Sequence, residues 1–176
     1  MLKTITIVLA VIIIAILILA ARKPDRFKVQ RSASIKAAPE KIFPYLNNMH
    51  NFAAWSPFEK LDPDMKRSYN DVASGKSATY AWEGSGKAGQ GRMEIVDETV
   101  PSRVVIKLDF TKPFKASNTV EYTLTAKGDA TEVTWAMSGA APFPARIVHV
   151  FCDMDSMVGK DFETGLDNLK NLAEKQ

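Results

Sequence analysis

The sequence predicts an α+β fold: a curved antiparallel sheet wrapped on a long C-terminal helix, preceded by one N-terminal transmembrane helix. Three observations carry that expectation. Thr4 to Ala21, TITIVLAVIIIAILILAA, contains no charge, proline or glycine. Between Met65 and Ser138, apolar residues recur at alternate positions in short segments separated by turn residues. From Met154 to Ala173 they recur instead at spacings of three and four. The first pattern suits lipid, the second a half-buried strand and the third an amphipathic helix.

Roughly 18 apolar residues suffice to cross a bilayer core as a helix. Lipid forces all backbone groups to bond internally, so the β-branched isoleucines of this run do not oppose a helix. A cleaved signal peptide and a buried soluble-domain helix are the competing readings. The run is long for the apolar part of a signal peptide. Ile18 or Leu19 also occupies the site where a cleavage motif ending at Ala20 or Ala21 needs a small residue. We therefore expect an uncleaved anchor over residues 1–22, a tether over 23–26 and a single domain over 27–176. Arg22, Lys23, Arg26, Lys28 and Arg31 follow the span, against Asp25, whereas Lys3 and the amino terminus precede it. The positive-inside rule then places the domain in the cytoplasm, on a single-pass membrane protein.

Composition narrows the chemistry. The 176 residues hold 23 Lys+Arg and 20 Asp+Glu, a net charge of +3. No basic block is present, and a nucleic-acid partner is not expected. The one cysteine, Cys152, cannot form an internal disulfide and has no metal-ligand spacing around it. His50 and His149 are the only histidines. No catalytic residue, metal set or cofactor is expected.

The domain opens with Phe27 to Ile35, whose alternation reads as a strand, with Phe27, Val29 and Arg31 on one face. Pro39 suits the first turn of a helix carrying Ile42, Phe43 and Leu46 on one side, and Pro44 keeps it short. Met49 to Trp55 reads as a second short helix, stopped by Ser56-Pro57. Strands follow at 65–70 (an edge strand), 77–83, 92–98, 103–110, 119–125 and 131–138. Ser74-Gly75, Val100-Pro101-Ser102, Lys112-Pro113 and Lys127-Gly128-Asp129 punctuate them. Short connections between successive strands make an antiparallel meander. Pro144 to Glu174 is helical, with a break near Asp153 separating a short helix from the amphipathic one.

Gly84-Ser-Gly-Lys-Ala-Gly-Gln-Gly91 begins with G-x-G-x-x-G and contains a Gly-Lys pair. A nucleotide site would need a helix to open at its end. The residues after Gly91 alternate as a strand instead. Ala81 stands where a P-loop needs its first glycine, and Ala88 where magnesium needs Ser or Thr. The glycines are expected to form a hairpin turn with Lys87 in solvent, and Gly89 and Gly91 to mark a bulge or bend. No nucleotide is expected.

The order of elements, with Arg31-Ser-Ala-Ser-Ile-Lys-Ala-Ala-Pro-Glu-Lys-Ile-Phe43, Trp55-Ser-Pro-Phe58, Tyr80-Ala-Trp-Glu-Gly84, Gly89-Gln-Gly-Arg-Met93, Thr131-Glu-Val-Thr-Trp135 and Gly159-Lys-Asp-Phe-Glu-Thr-Gly-Leu166, resembles a known family. It is the START-related, birch-allergen-like (SRPBCC) superfamily, in its polyketide cyclase/dehydrase and lipid-transport branch. The likeness runs from about residue 27 to 174. It implies the helix-grip fold and a cavity for a hydrophobic or amphipathic small molecule, such as a lipid. It carries over no catalytic residue, because the superfamily holds binders, transporters and some enzymes. Binding or transport is the reading taken, with a cyclase- or hydrolase-like reaction in the same cavity as the alternative.

Candidate cavity residues are Trp55, at the end of the second short helix, and Trp82, Met93, Leu108, Phe110 and Tyr122 on the sheet side. Trp135 and Met137 continue that wall, facing Met154, Val158 and Phe162 of the last helix. Each could equally fill an ordinary core, which a domain of this size needs. Flexible thioethers, Met157 included, suit an adaptable apolar wall. His50 is expected to be a solvated helix cap and His149 a packed residue. Asp153 and Asp155 are expected to cap the last helix.

Overall fold

A computed structural model describes residues 1–175. The first helix, α1 (Leu2–Arg22), is long and apolar enough to cross a membrane. It ends as Lys23 turns extended ahead of Pro24, which cannot continue a helix. Strand β1 (Arg26–Ile35) starts at once, and helix α2 (Pro39–Asn47) follows. Pro39 sits at the start of α2, where its missing N–H costs nothing, and Glu40 faces the positive end of the helix dipole. Ile42, Phe43 and Leu46 are its buried face.

The next segment is a short helix, as expected, of 3-10 form: Met49–Ala54, followed by a second 3-10 turn at Pro57–Lys60. The cap differs from expectation. Asn48, not His50, caps the first: its side-chain oxygen accepts the His50 N–H at 2.9 Å. The imidazole of His50 stacks on Tyr69, ring centroids 4.0 Å apart.

Strands β2 (Lys66–Tyr69), β3 (Thr79–Glu83), β4 (Gln90–Thr99), β5 (Arg103–Lys112), β6 (Ala116–Lys127) and β7 (Ala130–Ala140) complete the sheet. The order is β1-β7-β6-β5-β4-β3-β2, with every pair antiparallel. The meander runs from β2 to β7, and β1 then pairs beside the last strand rather than the next. Burial alternates without a break from Thr131 to Gly139 in β7, as a sheet with one covered face requires. Val104, Ile106 and Leu108, Val120, Tyr122 and Leu124, and Val133, Trp135 and Met137 are buried together on that face.

The C-terminal region splits at the expected break into α3 (Phe143–Phe151) and α4 (Met154–Glu174). Asp153 is the cap of α4, accepting the Ser156 N–H at 2.7 Å. Helix α4 packs chiefly along β1 and reaches α2 and β7. It buries Phe162, Leu166, Leu169 and Ala173, a stripe at spacings of three and four. The curved sheet gripping this helix is the helix-grip fold.

The glycine cluster is the β3–β4 turn. Gly84 N–H donates to Gly89 O at 2.8 Å, and the register between β4 and β5 shifts at Gln90/Gly91. Asp62 holds the turn from outside, accepting both the N–H and the hydroxyl of Ser85. Those bonds hold its carboxyl below the usual aspartate range. Gly89 has φ +59°, and a Cβ there would lie 2.5 Å from Lys112 O. Gly91 has a different task. A Cβ at that position would strike the ring of Trp82 at 2.5 Å. The glycine therefore lets that indole lie flat over β4, with its N–H donating to Ala88 O at 2.9 Å. Lys87 is exposed.

Candidate functional site

The middle of the concave face is aromatic. Trp55 lies edge-on to Tyr122 and Trp135, at centroid distances of 5.9 and 5.3 Å. Its placement is fixed twice: its indole N–H donates to Tyr45 O at 2.9 Å, and its carbonyl accepts from Asn168 Nδ2 of α4 at 3.0 Å. Trp135 stacks on Phe162 of α4 with centroids 4.1 Å apart and planes 7° from parallel. Gly165 allows this closeness, since a Cβ there would approach the Trp135 ring to 2.7 Å. Burial pushes the Tyr122 phenol well above its ordinary pKa, so it stays protonated.

Among the described residues, Trp135 Nε1 of this centre is buried with no protein partner, and so is Ser56 Oγ, on the residue that follows Trp55. Both residues are almost wholly buried, at 2% and 1% exposure. A buried donor left unpaired costs about 1–3 kcal/mol, so most are satisfied by something. The indole can only donate, whereas the hydroxyl can donate or accept. The Trp135 indole therefore suits a group carrying an acceptor oxygen, set in an otherwise apolar surround.

Toward β2 the aromatic rings continue in a row. Tyr69 stacks on Tyr80 at 5.2 Å, Tyr80 on Trp82 at 5.9 Å, and Trp82 meets Phe110 edge-on at 5.7 Å. Beneath this row lies the carboxylate of Glu59. Tyr80 Oη donates to its Oε1 at 2.5 Å and Arg67 Nε to its Oε2 at 2.7 Å. Desolvation, followed by the Glu59 contact, pushes the Tyr80 phenol far above its usual pKa. An open groove of about 400 Å³ runs beside Arg67, Trp82, Gln90 and Gly91 at this edge of the sheet.

At the opposite edge Arg31 ties β1 to α4. Its guanidinium donates to both oxygens of Asp155, at 2.7 and 2.9 Å, and to Glu163 at 2.7 Å. Gly159 leaves room for it, since a Cβ there would collide with the guanidinium. Asp155 stands in the first turn of α4, at the positive end of its dipole, and is also an ion-pair partner; Arg31 holds its carboxyl below the usual range.

The candidate residues fall into two groups. Trp55, Trp82, Met93, Leu108, Tyr122, Trp135, Met137 and Phe162 are buried in one continuous apolar cluster. Phe110, Met154 and Val158 are half-buried on its rim. Met157, considered for the same wall, points outward at 52% exposure. His149 meets Phe27 edge-on at 6.4 Å. Sequence reasoning did not single out Ser56, Glu59 or Arg67. Ser56 stood inside the Trp55–Phe58 motif, but only the fold shows that its hydroxyl is interior.

This architecture has many counterparts among solved structures. Major latex-like protein 151 from Panax ginseng superposes with a TM-score of 0.60 at 14% identity, over 85% of this chain and 99% of its own. The Aha1 dimer structure from Colwellia psychrerythraea gives 0.59 at 16%, over 85% and 97%. Protein CV1439 from Chromobacterium violaceum gives 0.59 at 11%, over 88% and 100%. Likeness at such low identity speaks for the fold alone. A search of curated proteins finds no match. The sequence itself settles the kinship, because the model of one family aligns with residues 26–174, from the first strand to the end of α4. The chain belongs to the polyketide cyclase / dehydrase and lipid transport family.

Proposed function

We propose that this is a single-pass membrane protein whose helix-grip domain binds or carries a hydrophobic or amphipathic small molecule. The family fold supports a hydrophobic-ligand domain. The observation that carries the reading further is the buried, unpartnered indole N–H of Trp135 inside an aromatic cluster. A bound molecule with an apolar body and one acceptor oxygen satisfies both the cluster and the donor. Trp135 and Phe162 stack at 4.1 Å, so a ligand that reaches the indole N–H enters by parting α4 from the sheet. α1 supports the anchor, being long, apolar and 6% buried along its span. The basic residues after it favour a cytoplasmic domain.

A reaction in the same space would draw on Glu59, the carboxylate beneath the aromatic row. Both its oxygens already accept hydrogen bonds, from Tyr80 and Arg67. Tyr80 stays protonated at neutral pH. That arrangement suits a fixed support for the aromatic row better than an acid–base pair, and it favours binding over catalysis.

Native mass spectrometry of the detergent-extracted chain tests the proposal. A co-purifying apolar molecule, lost in Trp135→Ala, is the expected result. An empty protein that takes up no fatty-acid-like probe contradicts it.

A further inference from the structure

Helix α3 buries none of its residues, although PARIVHVF within it is almost wholly apolar. Phe143, Val148 and Phe151 stand 38%, 56% and 73% exposed. An isolated helix of this length is marginal in water, and an apolar one needs a cover. The place of α3 in the fold shows what covers it. α1 packs against α3, and among its described residues only Ile16 and Ala20 lose exposure, Ala20 completely. These two are one turn apart on a single face. At 1.5 Å per residue they lie about 9 and 3 Å below Arg22, on the apolar side of the last charge of α1. The attachment is fixed at two further points. Arg146 Nη1 donates to Lys23 O at 3.4 Å, and Ala141 N–H to Asp25 O at 2.7 Å.

The strand register extends this surface. Arg26 of β1 pairs with Ala140 of β7, and Asn118 near the start of β6 with Gly139. The β5–β6 connection therefore lies at the same end of the sheet as the exit of α1. That connection carries Phe114, 82% exposed, between Lys112 and Lys115. Arg22, Lys23, Arg26 and Lys28 lie at this end as well, all exposed.

We infer that this end of the domain is a bilayer-docking face. α3 lies in the interface with Phe143 and Phe151 among the upper acyl chains, the Phe114 loop inserts beside it, and the surrounding cations meet anionic headgroups. The depth of Ile16, about 9 Å, falls within the 5–10 Å or so at which interfacial helices rest, with Ala20 just above it. The inference depends on α1 spanning the membrane, as proposed above. It also sets Met154 and Val158, which follow α3 directly, beside the lipid from which an apolar ligand would come.

Cys152, the one cysteine, is exposed at the end of α3 and takes an environment-sensitive fluorophore without mutation. The full chain is labelled there and reconstituted in phosphatidylcholine–phosphatidylglycerol vesicles. Comparison labels go on Phe114→Cys and Asp129→Cys in a Cys152→Ser background. Asp129 lies in the β6–β7 turn, at the far end of the sheet. Quenching by lipids spin-labelled near the headgroup should be at least about twofold stronger at positions 152 and 114 than at 129, as interfacial residence requires. Equal, water-like emission at all three positions overturns the docking face. So does a blue-shifted label at 152 that lipid does not quench, because protein would then cover α3. Alkaline carbonate extraction separates the two readings. Release of the chain defeats the anchor, whereas retention with a water-exposed Cys152 defeats only the docking face.

Discussion

Helices α3 and α4 follow one another across Cys152 and Asp153, yet they meet opposite fates. α4 is the more polar, and it buries a full stripe: Gly159, Phe162, Gly165, Leu166, Leu169 and Ala173. α3 is the more apolar, yet none of its residues is fully buried. Hydrophobicity alone therefore does not decide what enters this core. Partnership does: α4 has β1 along its length, held by Arg31, while α3 has chiefly the last turns of α1 and the edge-on contact of His149 with Phe27. An apolar helix left uncovered by its own domain marks a surface intended for another apolar phase.

Truncation gives the largest contrast between the two. Phe162→Ala removes the ring stacked on Trp135 and should cost about 3–5 kcal/mol. Phe151→Ala, at 73% exposure, should stay within about 0.5 kcal/mol in detergent. Chemical denaturation of both variants reads the difference, and comparable losses would mean that α3 belongs to the core after all. The next effect is steric. Gly165→Val forces a branched side chain against Trp135 and should destabilise by roughly 1–3 kcal/mol. Melting at unchanged temperature would show that the Trp135–Phe162 contact is not fixed.

A smaller effect is electrostatic and, of these two helices, belongs to α4. The carboxyls of Asp153 and Asp155 titrate below the ordinary aspartate value, the first through the Ser156 N–H and the second through Arg31. Lowered folded-state values mean stability that is present above the unfolded pKa and lost as pH falls through the folded one. The melting temperature should drop on acidification below about pH 4. Asp155→Asn should lower it at neutral pH and flatten the acid slope. An identical slope in the variant would remove Arg31–Asp155 from the account. The smallest expected change is in the β3–β4 turn. Lys87→Ala should be neutral within about 0.5 kcal/mol, and saturable ATP binding abolished by it would restore the nucleotide reading of the glycines.

How much of this was legible in the sequence depends on range. Val133, Trp135 and Met137 announced their strand and its inward face, because alternation is local. The hairpin at Gly84–Gly91 could be read from the strand that follows it. The break at Asp153 showed because a carboxylate capping an apolar stripe is also local. The 3-10 form of Met49–Ala54 did not show, since a single turn carries no period. Arg31 stood out only as a charge on an apolar face, and its partners lie more than a hundred residues away in α4. Ser56 and Trp135 were both visible. That their polar atoms lack partners follows from how β7, α4 and the Ser56-Pro57 turn converge, which no local pattern encodes. The exposure of α3 was hidden for the same reason, because its stripe of apolar residues looks like that of any buried helix.

The interior itself is tested most directly by adding bulk at its rim. Met154 is half-buried against the apolar cluster at the start of α4. The parent chain in detergent should bind a fluorescent fatty-acid-like probe saturably. Met154→Trp should abolish that uptake while the melting temperature stays nearly unchanged. A parent that never binds the probe, together with a Met154→Trp variant destabilised by the roughly 1–3 kcal/mol of an overpacked core, would contradict the account.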